Sequence, residues 1–269
     1  MTKPIIFSDV DGTLLNSSHQ ISEETIQAIR ALKLQDLPFV IVSARSPSGI
    51  YPILQKHQLS CPIIAYSGAL ILDEDRNILD SHGFDRVTAQ NVLSFIDTQS
   101  LDLCWNLYAL DQWIVKDKTD PRVITEETVV KAQSVQGSFE MIEGDVFHKI
   151  LCIGKADAIS ELEKRLIQSF SELSIAKSSQ TYLEIMAGGI TKAAAVKTLC
   201  SLWNLDLKQA VAFGDNYNDI EMLETVGHGY LMGNAPEALK QRFSRHTDDH
   251  DHDGIVSALL DLNLSQRSE

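Results

Sequence analysis

Long apolar stretches are missing from this 269-residue chain. No run approaches the roughly 18 consecutive apolar residues that a membrane-crossing helix needs, which excludes a helical integral membrane protein. At the start, Met1-Thr2-Lys3-Pro4 leads into Ile5-Ile6-Phe7, and Asp9 cuts short the apolar stretch that a secretory signal would extend. The sequence therefore predicts a cytoplasmic protein. Positive charge is also scarce: 23 Lys and Arg face 37 Asp and Glu, a formal net charge of -14. That balance argues against a nucleic-acid partner, because phosphate backbones are held mainly by lysine and arginine. A small anionic substrate stays compatible, given local positive charge from a metal or a few placed basic residues. The four cysteines, Cys61, Cys104, Cys152 and Cys200, lie far apart in apolar runs and form no Cys-x-x-Cys pair, so they read as buried thiols rather than metal ligands or disulfides. Internal repeats and low-complexity tracts are absent.

What the chain does have is a recurring local grammar. Ile5-Ile6-Phe7, Phe39-Val40-Ile41-Val42, Ile63-Ile64-Ala65-Tyr66, Val211-Ala212-Phe213 and Tyr230-Leu231-Met232 are unbroken apolar runs, each ending abruptly at a polar residue or glycine. Such runs suit strands covered on both faces, as in a parallel sheet. Helical patterns lie between them. Ser22 reads as an N-cap, with Glu23 and Glu24 in the first turn and Ile21 and Ile26 as a hydrophobic staple; a second helix is expected from about Lys192 through Trp203. Strand and helix in alternation predict a doubly wound, Rossmann-like α/β core, in which ligands bind beyond the carboxyl ends of the strands. Asp9, Ser43, Ser67 and Asp215 fall there.

The middle of the chain reads differently. Its expected strands, Leu101 to Tyr108, Trp113 to Val115, Lys149 to Ile153 and Tyr182 to Met186, mix polar and apolar positions like a sheet with one open face, with helices near Thr88 to Ile96 and Ala158 to Phe170 covering the other. This predicts an inserted α+β lobe: core from 1–82, insert from 83–188, core again from 189–269. Trp105, Tyr108 and Trp113 read as insert core in preference to an aromatic wall facing a ligand.

Asp9 and Asp11 stand two apart where the first strand ends, a spacing that presents two carboxylates to one spot. One carboxylate can attack phosphorus while the other protonates the departing oxygen and later activates water. Alone, Asp-x-Asp-Gly serves equally well as a turn. A second acidic segment, Gly214-Asp215-Asn216-Tyr217-Asn218-Asp219, follows another expected strand and tips the balance. Asp9, the backbone carbonyl of Asp11, and Asp215 would supply the oxygen set that magnesium prefers, with Asp219 just outside it, orienting ligands or capping a helix. Ser43 and Lys192 would supply the hydroxyl and the charge that fix a phosphate. The segment with His246, His250 and His252 among Asp248, Asp249, Asp251 and Asp253 lacks helical or strand spacing and reads as a solvated loop rather than a metal site.

These segments together resemble the haloacid dehalogenase-like phosphatases, specifically the Cof-type group with a large α/β cap. The motifs match in order over nearly the whole chain: Asp9-Val10-Asp11-Gly12-Thr13-Leu14-Leu15, Val42-Ser43-Ala44-Arg45, Ile190-Thr191-Lys192 and Gly214 to Asp219, then Gly233-Asn234-Ala235-Pro236 with Lys240, and Asp253-Gly254-Ile255-Val256. The resemblance implies Asp9 as nucleophile, Asp11 as general acid and base, Ser43, Lys192 and Asn218 as phosphate holders, and Mg2+ on Asp9, Asp11 and Asp215. It implies hydrolysis of a small phosphorylated metabolite, with 83–188 setting specificity. Ser43-Ala44-Arg45 stands where the family often has Thr-Gly-Arg, Ser67-Gly68-Ala69 where Asn-Gly-Ala is common, and Ala193 where glycine usually follows the lysine; none removes a catalytic group. A phosphomutase of the phosphomannomutase type and a phosphate-binding module without turnover are the rival readings, and the sequence leaves the oligomeric state open.

Overall fold

The computed structural model describes residues 3–142 and 144–264. Met1 and Thr2, where the N-terminal reading begins, lie outside the described residues, as do Glu143 of the expected insert and 265–269 of the expected second core segment. The chain forms two compact units: one runs up to Ala44, takes in Ile53–Leu79 and resumes at Thr191, and the other comprises Arg45–Pro52 and Asp80–Ile190.

The first unit is built on the five apolar runs. They form β1 (Ile6–Asp9), β2 (Phe39–Val42), β3 (Ile63–Ala65), β14 (Val211–Gly214) and β15 (His228–Leu231). Within a seven-stranded sheet of order β15-β14-β1-β2-β3-β4-β5, these five pair in parallel. β4 (Leu70–Leu72) adds antiparallel to β3, and β5 (Ile78–Ser81) forms the edge. Both faces are covered, which is why the runs show no polar alternation. Ile5, Phe7, Val40, Val42 and Ile64 share one core with Val196 and Leu199 of α6 (Lys192–Leu202) and Met222 and Leu223 of α7 (Ile220–Thr225). The alternate residues Ile6 and Ile41, also fully buried, turn to the other face. There α1 (Glu23–Leu34) packs on β2 and on α9 (Gly254–Asp261). The Ser22 cap is present, its side chain accepting from the Thr25 amide, with Ile21 and Ile26 both buried beside it. This is the doubly wound α/β core that the alternation of runs predicts.

The second unit carries a six-stranded sheet of order β12-β13-β11-β7-β8-β9. Its strands are β7 (Leu103–Ala109), β8 (Gln112–Val115), β9 (Val135–Gln136), β11 (Lys149–Gly154), β12 (Leu173–Ser179) and β13 (Tyr182–Ala187); β6 (Phe84–Asp85) and β10 (Val146–Phe147) pair separately. Helices α3 (Arg86–Thr98) and α5 (Ala156–Ser169) supply Val92, Leu93, Leu162 and Leu166 to a core shared with Trp105, Leu107, Ile150 and Ile185. The opposite face is not open as the sequence suggests. Asn106, Tyr108, Trp113 and Leu151 are buried too. Helix α4 (Pro121–Val130) lies on that face: its Glu126 accepts from the hydroxyl of Tyr182, which alternates with core-facing Leu183. The two edge strands stay exposed, β12 along most of its length and β9 at both residues. Trp105 is core, whereas Tyr108 and Trp113 stack on the α4 side with centroids 5.4 Å apart. No described helix is long and apolar enough to cross a membrane.

Candidate active site

Parallel strands deliver the candidate residues to one end of the first unit's sheet. Asp9 is the last residue of β1, buried at 7% exposure between β2 and β14. The chain then turns sharply, with the Leu14 amide on the Asp9 carbonyl at 3.2 Å and the Leu15 amide on the Val10 carbonyl at 2.9 Å. Gly12 makes the turn possible. Its φ is +84°, and a Cβ there would begin 2.5 Å from Asp215 Oδ2. Thr13 completes the approach by donating its hydroxyl to Asp215 Oδ1 at 3.1 Å.

Lys192 opens α6, where Thr191 caps the helix by accepting from the Ala194 amide. Its ammonium is 2% exposed and lies 2.5 Å from Asp9 Oδ1 and 2.6 Å from Asp219 Oδ1. Asp219 is itself fully buried, and its second oxygen accepts the Asp215 amide at 3.1 Å and the Asn216 amide at 3.0 Å. Both of its oxygens are thus engaged, one by lysine and one by the turn after β14. Asp219 ties Lys192 to the turn after β14, while its side chain makes no cap bond to the helix Ile220–Thr225 that follows.

Ser43, just past β2, is buried at 2% exposure; its amide donates to the Ile64 carbonyl and its own carbonyl accepts from the Ser67 amide, both at 2.8 Å. Tyr66 and Ser67 both adopt left-handed backbone, φ 50° and 54°. The next residue, Gly68, comes so close to the carbonyl of Thr191 that a Cβ would lie 2.5 Å from it. This turn braces the start of α6 beside Lys192.

The carboxylates of Asp9, Asp215 and Asp219 can bring one oxygen each within 4.8 Å of one another. Two candidates stand apart from that group. Asp11 lies past the end of β1 with its residue exposed, and Asn218 is exposed on the turn Tyr217–Asp219. Sequence reasoning gave no role to Thr13 or Asn234. Asn234 donates to the Gly12 carbonyl at 2.8 Å and accepts the His250 amide at 3.2 Å. The only sequence signals for them were their positions inside matched motifs. The segment 246–253 is a loop with His246, Asp248, Asp251 and His252 exposed, as expected, and it is anchored at several points. It runs beside β15 through the Thr247 amide on the Leu231 carbonyl and the Gly233 amide on the Asp248 carbonyl, and Asp251 accepts the Ser17 amide at 2.9 Å.

One ammonium among three close carboxylates leaves negative charge in excess. Burial, opposed by Lys192 and reinforced by Asp219, pushes the Asp9 carboxyl up to about 7. Burial and then Asp219 raise Asp215 to about 6, with Thr13, Lys192 and His250 pulling the other way. Lys192 is held firmly protonated: burial opposes its charge, and the two carboxylates outweigh that.

Residues 6–259 match the sequence profile of haloacid dehalogenase-like hydrolases. The chain belongs to that family. A Haemophilus influenzae protein that bears a provisional phosphatase name is 36% identical over 254 residues, covering 94% of this chain and 96% of that one. The 5-amino-6-(5-phospho-D-ribitylamino)uracil phosphatase of Bacillus subtilis is 27% identical over 258 residues, covering 95% and 94%. A haloacid dehalogenase-like hydrolase from Bacteroides thetaiotaomicron has the same fold, with a TM-score of 0.87 at 24% identity over 97% of this chain and 99% of that one. This haloacid dehalogenase-like hydrolase is accordingly an enzyme with relatives named as phosphatases.

The donor chemistry fits a hard divalent cation. Asp9 and Asp215 offer carboxylate oxygens beside Asp219, and the single charge of the Lys192 ammonium does not neutralise three carboxylates.

Proposed function

We propose that this hydrolase is a magnesium-dependent, cytoplasmic phosphatase that releases phosphate from small phosphorylated metabolites through an aspartyl-phosphate on Asp9. The observation that carries the reading is Lys192, buried and bridging Asp9 and Asp219, with Asp215 completing the carboxylate group. Asp9 and Asp215, with the backbone carbonyl of Asp11, would hold the ion. Bound there, magnesium supplies positive charge that offsets the carboxylates and the incoming phosphate.

Asp9 is the nucleophile. Lys192 fixes its carboxylate by Oδ1. A carboxylate oxygen forms the bond to phosphorus as the ester oxygen leaves, and Asp11 gives that oxygen its proton. Asp11, now ionised, takes a proton from water, whose oxygen attacks phosphorus and breaks the acyl-phosphate bond. Inorganic phosphate departs, and Asp9 and Asp11 return to their starting states. The exposed position of Asp11 suits a group that must meet both the leaving alcohol and solvent water. Lys192, Ser43 and Asn218 are the phosphate holders, and 83–188 is the cap that selects the ester.

The substrate class is a sugar phosphate or a phosphorylated cofactor, in keeping with the phosphoribityl group named for the Bacillus subtilis relative. Hydrolysis is preferred to a mutase reaction because Arg86, Arg122 and Arg165, the arginines of 83–188, are each tied to carbonyls or side chains of that segment. The net charge of -14 disfavours nucleic acid. The deciding experiment is Asp9→Asn, with phosphate release measured over a panel of phosphorylated metabolites and an aryl phosphate in magnesium. A loss of at least about a thousandfold is expected. Turnover at the wild-type rate would refute the mechanism.

A further inference from the structure

Asn234 stands on the turn after β15, and its carboxamide does two things at once. Nδ2 donates to the Gly12 carbonyl at 2.8 Å, and Oδ1 accepts the His250 amide at 3.2 Å. A carboxamide suits the place because it carries a donor and an acceptor side by side, which neither a carboxylate nor a hydrocarbon of that size does. The side chain is set on firm backbone. The Met232 amide donates to the Gly214 carbonyl at 2.9 Å, the Gly233 amide to the Asp248 carbonyl at 3.1 Å, and the Ala235 amide to the Met232 carbonyl at 3.0 Å.

Asn234 grips the peptide that joins Gly12 to Thr13, and these are two residues that meet the Asp215 carboxylate. Thr13 donates its hydroxyl to Oδ1 at 3.1 Å, and Gly12 runs so near Oδ2 that a Cβ would begin 2.5 Å from it. Both oxygens of Asp215 therefore rest on the segment that Asn234 holds. The turn's own backbone bonds engage the carbonyls of Asp9 and Val10 instead, and the Thr13 amide reaches Val10 only at 3.5 Å, long for a hydrogen bond. Gly12, at φ +84°, is also the residue type with the widest choice of backbone conformation. Its peptide keeps one orientation when something outside the turn holds it, and the Asn234 bond comes from 222 residues away.

Resting on the reading of Asp215 as a magnesium ligand, we propose that Asn234 is a positioning residue for metal binding. By holding the Gly12–Thr13 peptide it sets the aim of the Asp215 carboxylate, and so how tightly the ion is held before any substrate arrives. Magnesium demands near-octahedral geometry from its few protein oxygens, so a carboxylate turned aside binds it poorly.

The test follows the melting temperature of the substrate-free protein against magnesium concentration, since an ion bound only by the folded state raises it. Asn234→Ala removes the hold, and Asn234→Leu removes it while keeping most of the bulk. Both should need about 10–100-fold more magnesium for half the rise. Thr13→Val should need about 10-fold more. Combined with either Asn234 variant, it should fall short of the product of the single shifts by at least about threefold, because both changes act on one peptide. Asp251→Ala cuts the tie to the Ser17 amide, further along the same segment, and should stay within about threefold of wild type. If Asn234→Ala does not fold, Asn234→Leu carries the comparison. Wild-type magnesium dependence in the Asn234 variants, shifts that multiply in the double variant, or an equal loss in Asp251→Ala overturns the proposal. A wild-type protein without any magnesium-dependent rise overturns the metal reading and this inference with it; a rise abolished by Asp215→Asn but untouched by the Asn234 variants overturns this inference alone.

Discussion

Asp219→Asn is the sharpest probe of how the candidate site is held together. The native carboxylate accepts from Lys192 on Oδ1 at 2.6 Å, and from two backbone amides on Oδ2 at 3.1 Å and 3.0 Å. An asparagine has one oxygen for these two sets of donors. If its oxygen keeps the amides, its NH2 faces the ammonium, and a charge-assisted bond worth about 1.5–3 kcal/mol is lost. If it flips, two amide bonds of about 1 kcal/mol each are lost and buried donors face one another. Either way the cost is about 2–4 kcal/mol, with no room for water to relieve it because Asp219 is fully buried. For a chain of this size that corresponds to a fall in melting temperature of roughly 5–10 °C. Lys192, left with Asp9 alone, is less firmly placed, so phosphatase turnover should fall at least about tenfold. The assay pairs a thermal melt with phosphate release on the same preparation. A melting temperature within about 2 °C of wild type would show that Asp219 does not organise the site, and the account of Lys192 would fail with it.

Two further outcomes are expected. Gly12→Ala introduces a Cβ 2.5 Å from Asp215 Oδ2 at a φ of +84°; the left-handed backbone should cost about 1–2 kcal/mol, while displacement of Asp215 should lower turnover by about a hundredfold, so activity near wild type would refute the close approach. His148 is fully buried, accepts the Leu110 amide on Nδ1 at 3.0 Å and pairs with Ser81 through Nε2 at 3.0 Å. Burial pushes its pKa from 6.5 down to about 4. The folded protein holds it neutral where an unfolded chain takes up a proton, so its contribution is complete above pH 6.5 and is lost as the pH falls to about 4. The loss reaches about 3 kcal/mol, and His148→Gln, which keeps an acceptor and a donor, should flatten the fall in melting temperature between neutral and acid pH. An unchanged pH profile in that variant would rule the histidine out as its source.

The core was legible because burial on both faces of a parallel sheet leaves an unmistakable trace. All five apolar runs became its parallel strands. The second unit hid more. Helix α4, Pro121-Arg122-Val123-Ile124-Thr125-Glu126-Glu127-Thr128-Val129-Val130, is rich in β-branched residues that blur a helical period, and its one clear mark was Asp120 before Pro121, a cap followed by proline in the first turn. Strand β12 is largely exposed, so no apolar pattern announces it. Missing α4 made the sheet's second face look open, and so did the polar residues on that face, Tyr182 bonded to Glu126 of α4 and Asn106 fully buried with its side-chain amide on the Leu151 carbonyl.

The candidate site divides along the same line. Asp9, Ser43, Lys192 and Asp215 sit where a run of predictable structure ends or begins, so their neighbourhood followed from the order of the strands. Thr13 reaches Asp215 across 202 residues, and Asn234 reaches Gly12 across 222, contacts that no local pattern encodes. The excess of acid at the site was likewise visible only as residue types, and its consequence needs the third dimension. Lys192 contacts one oxygen each of Asp9 and Asp219, and Asp219 also serves the turn, so burial first and the neighbouring Asp219 charge second keep the pKa values of Asp9 and Asp215 raised. A buried group arranged to be unsatisfied by its own chain is stabilised by what it binds. That is the physical reason to expect the substrate-free protein to be least stable at this site, and to gain stability from magnesium before it gains activity.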